Sequence, residues 1–355
     1  MKFNIKKIFF ALTASLLLTS CISPIYDGDT DLSEQRSVWQ YLSVYSLYHD
    51  RLPKQLGGET PEDLFVDIND YFDGARYTEY ASARTGRGMA AALETQKSPY
   101  TQFAITDSTA YLRISDFMDP SYPMSNSPFS KESVSFLERY QNIIIDLRGN
   151  LGGSIDVCEY IVSEFLPFNS GYIQYEYREY DRKNMRGRTV PWETQRTVIR
   201  NPRLTNKNIA VLMNHNSASA SEILISALKD EAGAVLIGST TSGKGIGQSH
   251  ISRMGRKSLK ITSMKIRGLT ERTGEYHETG IEPDPIEDDI WEEVTAQEPN
   301  DPNLEYAVMI LERSVSASYV NKKIKENSAN LPAVSSMAKI APIGAFVVLE
   351  DPLSD

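Results

Sequence analysis

The chain has 355 residues, 41% hydrophobic and 24% charged, with 47 acidic against 37 basic side chains and a formal net charge of −10. This length suffices for one large domain or two. The charge argues against a nucleic-acid partner, because the basic clusters at 84–87 and 253–257 are short and flanked by acidic sequence.

Lys2, Lys6 and Lys7 precede an apolar run over 8–18, too short to span a bilayer but right for the core of a signal peptide. The run ends in Leu18-Thr19-Ser20-Cys21, which resembles the bacterial lipobox, whose cysteine is lipidated and becomes the first residue. Residues 1–20 are read as a lipoprotein signal peptide and 21–33 as a tether. The expected place is the bacterial cell envelope, with the membrane reached through a lipid anchor on Cys21. Ile22 rather than an acidic residue follows the cysteine, which favours the outer membrane, on its periplasmic face or at the cell surface; Asp27, Asp29 and Asp31 make the tether acidic. After lipidation only Cys158 remains, so no intramolecular disulfide forms. Its spacing with Ile155, Ile161 and Phe165 places it on the apolar face of a helix, as a buried hydrophobe.

From 34 to 80 the sequence is aromatic and helix-leaning, with Val38, Tyr41, Leu42, Tyr45 and Tyr48 at helical spacing. Pro53, Gly57, Gly58 and Pro61 break the pattern, and a second helix is expected over 61–72. Residues 81–109 are polar and poorly patterned. Beyond Thr109, strands are expected at 110–114, 142–146, 172–180, 209–213 and 234–238, with helices at 131–140, 154–166 and 219–231. One or two further strands fall in 258–267, and 303–311 reads as a terminal helix. A polar stretch over 321–330 and an apolar segment over 343–349, fit for an edge strand, complete the chain. Such alternation calls for a layered α/β fold. No spacing suggests a metal site; Glu287, Asp288, Asp289, Glu292 and Glu293 read as a solvated acidic surface.

Three separated segments carry chemistry. Asp146-Leu147-Arg148-Gly149-Asn150-Leu151-Gly152-Gly153 lies between a buried strand and a helix, where glycines let the backbone approach a ligand and offer N–H groups as oxyanion donors. Neither nucleotide-loop pattern, G-x-G-x-x-G nor G-x-x-x-x-G-K-[ST], is present there. Ser217, Ser219 and Ser221 cluster at the start of a helix, whose unpaired N–H groups suit a nucleophile that generates an oxyanion. Spacing does not choose among the three. Ser242-Gly243-Lys244-Gly245-Ile246-Gly247-Gln248 sets a lysine among glycines, and a lysine can serve as base if the fold desolvates it.

Together and in this order, the D-L-R-G-N-x-G-G turn, the S-A-S-A-S-E helix start and the G-K-G-x-x-x-Q segment resemble the tail-specific, or C-terminal-processing, serine protease family. Gly280-Ile281-Glu282-Pro283-Asp284 adds the G-I-x-P-D signature, and the resemblance covers about 36–312. It implies an α/β, crotonase-like spiral protease core over 110–292. The helical N-terminal region would span 34–109, and a C-terminal helix with an unassigned tail 293–355. It further implies Ser219 as nucleophile, Lys244 as general base, Gln248 orienting the lysine, and an oxyanion hole from Ala220 with Gly152 or Gly153. Asp230, at the end of the nucleophile helix, matches an acidic position of structural use. The implied substrate is a peptide or unfolded protein, with no cofactor.

One departure stands out. The family commonly inserts a PDZ domain between a Y-T-x-Y segment, here Tyr77 to Tyr80, and the first core strand. The interval 81–109 is too short for one, so peptide capture by PDZ strand addition is not expected. His215, four residues before Ser219, is the histidine placed for a Ser–His alternative, and His250 follows Gln248 by two. A non-catalytic peptide- or ligand-binding lipoprotein on the same scaffold is the competing reading.

Overall fold

The computed structural model describes residues 30–52, 54, 79–82, 98–118, 129–254, 257–297, 299–313, 316–330 and 345–349. The signal peptide, Cys21 and the helix expected over 61–72 lie outside these residues.

Two sheets organise the molecule. One has the order β2 (Tyr100–Ala104), β3 (Thr109–Ile114), β4 (Asn142–Asp146), β7 (Asn208–Met213), β8 (Val235–Gly238), parallel except for the β2–β3 pair. All five residues of β4 are buried, because both faces of this sheet are covered. Ile143 and Ile145 face the core shared with α3 (Ile155–Phe165) and α4 (Ala220–Ala232), where Cys158, Ile161, Ile223 and Leu224 also sit. Ile144 faces the opposite core, built with α5 (Asp288–Thr295), α6 (Pro302–Leu311) and α7 (Ala317–Glu326) through Val294, Leu304, Val308, Val320 and Ile324. Cys158 is fully buried, its Sγ 3.1 Å from the Ala220 carbonyl.

The second sheet runs β11 (Ala345–Leu349), β9 (Ile246–Met254), β10 (Lys257–Arg267), β5 (Gly171–Asp181), β6 (Arg186–Arg196). A short strand, β1 (Glu79–Ser82), shares an edge of β10 with β5. Every pair here is antiparallel except β11 on β9. The aromatic stripe of α1 (Thr30–Tyr45) covers this sheet: Val38, Tyr41, Leu42 and Tyr45 pack with Ile251, Leu259 and Ile261.

Several boundaries differ from expectation. Helix α1 begins at Thr30, inside the stretch read as tether. The helix expected over 131–140 is a π-type turn, Phe129–Ser133, followed by one α-turn, α2 (Val134–Leu137). The interval 81–109 holds β2, and the stretch 258–267 lies in the single strand β10, which pairs antiparallel with β9. Strand β6 was not expected: most of its residues are exposed, and its pairing with β5 replaces an apolar face. The polar stretch 321–330 lies mostly in α7, whose one apolar pair, Val320 and Ile324, is fully buried at i, i+4 spacing.

Candidate active site

The parallel neighbours β4 and β7 end side by side, so the segments leaving their carboxyl ends meet, as ligand-binding loops do in open α/β sheets. From β4 comes the turn 147–153 leading into α3; from β7 comes the serine cluster leading into α4. The lysine segment follows β8 and crosses into β9 of the other sheet.

The turn is fixed by charge. Arg148 is buried and holds two carboxylates bidentately: Nε and Nη2 donate to Asp146 at 3.0 and 2.7 Å, and Nη1 and Nη2 to Asp301 at 3.0 and 2.7 Å. The Tyr111 hydroxyl donates to Asp146 at 2.7 Å. Burial alone would raise the Asp146 carboxyl, but the Arg148 guanidinium outweighs it and holds the group below the ordinary carboxylate range. Asp301 also caps α6, accepting from the Leu304 N–H. The D-L-R turn is thereby tied to a helix 153 residues away in sequence.

The structure separates the three serines, all fully buried. The Ser217 hydroxyl donates to the Leu147 carbonyl at 2.9 Å and the Ser221 hydroxyl to the Asn150 carbonyl at 2.8 Å. Both therefore bolt the helix start to the β4 turn. Ser219 is the N-cap of α4, with φ 62° and ψ −116°. A non-glycine residue there costs about 1–3 kcal/mol, which the surrounding contacts must sustain. They are identifiable: its N–H donates to Glu222 Oε2 at 2.8 Å, and its carbonyl accepts from the Glu222 and Ile223 N–H groups.

Glu222 is the site residue that the sequence reading did not single out. Fully buried, it accepts the Thr241 hydroxyl and the Gly243 N–H on Oε1 at 2.6 and 2.7 Å, and the Lys244 N–H on Oε2 at 2.8 Å. Ser219 and Lys244 thus give their N–H groups to the same carboxylate oxygen. One buried side chain joins the two segments that sequence alone could only place in order. Its signal is the glutamate three residues after Ser219, the capping-box spacing. Burial pushes its carboxyl up, and these four donors oppose that.

Lys244 and Gln248 are each 1% exposed, and the lysine Nζ donates to Gln248 Oε1 at 3.3 Å. Burial, with the charge of Lys260 adding to it and Glu222 opposing, lowers the ammonium from its ordinary range to about 7. Gly243 lets the loop turn: its φ is +78°, and a Cβ there would lie 2.9 Å from the Glu278 carbonyl carbon.

The two candidate glycines divide. Gly152 donates its N–H to Asn150 Oδ1 at 2.9 Å, and a Cβ on it would meet the Ser219 Cβ and the Ala218 carbonyl at 2.8 Å. Its contribution is space beside the serine. Among the described residues the N–H groups of Gly153 and Ala220 donate to no protein acceptor. His215 is exposed, whereas Ser219 is fully buried. His277, unassigned from sequence, lies against the lysine loop, its Nδ1 3.2 Å from the Gly243 carbonyl. Asp230 accepts the Leu269 N–H and the Thr270 and Thr273 hydroxyls, holding the turn after β10.

With this geometry in place, the match to known proteins is specific. Residues 108–286, which include both segments joined by Glu222, match peptidase family S41. The chain belongs to that family. Among relatives, this S41 member is 32% identical over 181 residues to the carboxy-terminal processing protease CtpB of Bacillus subtilis (strain 168), covering 50% of this chain and 33% of that one. With the chloroplastic carboxyl-terminal-processing peptidase 1 of Arabidopsis thaliana it shares 30% identity over 195 residues, 53% of this chain and 35% of the other. The chain thus spans about a third of the length of these curated relatives. Two solved structures share the fold. A lipoprotein from Streptococcus agalactiae superposes with a TM-score of 0.56 at 15% identity, covering 84% of this chain and 99% of that one. An S41 protein from Bacteroides fragilis NCTC 9343, described as a putative protease, gives 0.50 at 13% identity, covering 83% and 98%.

Proposed function

We propose that this S41 member is a serine endopeptidase acting on unfolded envelope proteins or peptides through a Ser219–Lys244 dyad. The observation that carries the reading is the convergence of Ser219 and Lys244 on Glu222 around a lysine whose ammonium titrates near neutrality. A neutral Lys244 Nζ takes the Ser219 Oγ proton as Oγ attacks the substrate carbonyl. The N–H groups of Ala220 and Gly153 face no competing acceptor and would hold the oxyanion, each donor worth about 2.7–4 kcal/mol. The lysine ammonium then protonates the leaving amine, the new chain end departs, and Lys244 activates the water that releases the acyl group. Gln248 positions the Nζ by accepting a hydrogen bond from it on Oε1. For location, the Cys21 motif supports a lipid anchor; no helix among the described residues is long and apolar enough to cross a membrane.

Hydrolysis of unfolded casein by the wild type and by Ser219→Ala and Lys244→Ala tests the reading. Loss in both variants with circular dichroism unchanged supports it. Equal hydrolysis by all three means another nucleophile. Peptide binding without hydrolysis by any of them would favour the non-catalytic scaffold.

A further inference from the structure

Strand β11 is the only parallel member of its sheet among the described residues, and it pairs with the strand that carries Gln248. Its register on β9 runs Ala345↔Gly247, Phe346↔Gln248, Val347↔Ser249, Val348↔His250 and Leu349↔Ile251. It therefore pairs with the residue that holds Lys244 and with that residue's neighbours. It also approaches α3, the helix that leaves the Gly152-Gly153 turn. The strand thus runs along the edge of β9 that carries Gln248, close to the helix that follows the candidate oxyanion turn. A second, independent observation is that the candidate nucleophile is closed off: Ser219 is 0% exposed and Gln248 1%. An extended polypeptide cannot reach such a serine until something moves.

We propose that residues 345–349 are an intramolecular occupant of a peptide-docking edge on β9, and that substrate takes this edge as an added strand once they leave. This rests on the peptidase reading of the same site. Strand addition uses main-chain hydrogen bonds, so it accepts many sequences, as a protease of unfolded chains requires. The parallel pairing is slightly weaker per residue than the antiparallel pairing of the rest of the sheet, which makes β11 the strand that yields. A tethered segment competes at high effective concentration, so its removal from the edge raises apparent affinity for a peptide added in trans by about tenfold or more.

The test uses the full chain carrying Phe346→Pro and Val347→Pro. Of two consecutive residues in a parallel ladder, one directs its N–H toward the neighbouring strand, so the double change removes a pairing bond and hinders the rest. Binding of a fluorescein-labelled peptide with the sequence of residues 344–350 is followed by anisotropy, in the Ser219→Ala background, with and without the prolines. The proposal expects about tenfold tighter binding to the proline variant. It also expects faster casein hydrolysis when Ser219 is restored. Equal binding to both proteins, or unchanged hydrolysis with the fold intact, overturns it. Tighter binding without hydrolysis by any form keeps the docking edge and removes the peptidase reading. If the prolines unfold the chain, hydrogen exchange on the unaltered protein decides: 345–349 should exchange well ahead of β10, and equal protection overturns the proposal.

Discussion

Lys244 carries two opposed consequences of one burial. Held near an apparent pKa of about 7, it is partly neutral where an ordinary lysine is fully charged, so hydrolysis should rise with pH through about 7 and level off above. A pH–rate profile at saturating and limiting substrate checks this; a flat profile across that range would assign the base elsewhere. The stability sign is the reverse of a salt-bridged lysine's. Because the folded value lies below the unfolded one, the unfolded chain binds the extra proton, and the folded state is penalised below about pH 10 and fully so below about 7. The cost at neutral pH is on the order of 4 kcal/mol. Lys244→Met should therefore abolish hydrolysis while raising the melting temperature at pH 7, and the gain should shrink as pH approaches 10. Thermal unfolding at several pH values reads both effects. Glycine at 152 is set by contact: Gly152→Ala would drive a Cβ into the Ser219 side chain at φ +101° and should abolish hydrolysis.

Among elements, the β4 turn and the start of α6 share one buried guanidinium. Arg148→Met would remove the guanidinium that binds both carboxylates, leaving Asp146 only the longer contact to Arg113 at 3.9 Å, and should cost about 3–5 kcal/mol in urea unfolding. A cost below 1 kcal/mol would mean that the turn is held by the Ser217 and Ser221 bonds instead. The segments that sequence made legible were those with strong local signals. The uninterrupted apolar runs of β4 and β7 reflect burial on both faces, and Ser154 and Ser219 mark the starts of α3 and α4. Elements held by partners rather than by their own pattern were illegible. Strand β6 is mostly exposed, and exists because β5 pairs with it. Helix α7 rests on Val320 and Ile324 within a run of lysines and asparagines. Glu222 escaped notice for a related reason: a glutamate in the first turn reads as a cap, and its bonds to the lysine loop span 19 to 22 residues.

At the scale of the whole molecule, two sheets meet at the candidate site, and each supplies one half of the proposed dyad. Chain order, serine first and lysine after, was visible in the sequence. The meeting required the crossover from β8 into β9, which no local pattern announces. The body described here is joined through its N-terminal side to Cys21, where the proposed lipid would sit. Cys21→Ser should shift the protein from the membrane to the soluble fraction without changing its rate on casein, measured by fractionation and assay of the same samples. A rate that falls with release would tie the site to the membrane surface.

The most direct test of the central claim is to quench a reaction with an activated ester substrate in acid and map the acylated residue by mass spectrometry. The account predicts an acyl group on Ser219, absent from Ser219→Ala and not formed in Lys244→Ala. Acylation of another residue, or turnover without any acylation of Ser219, would contradict it.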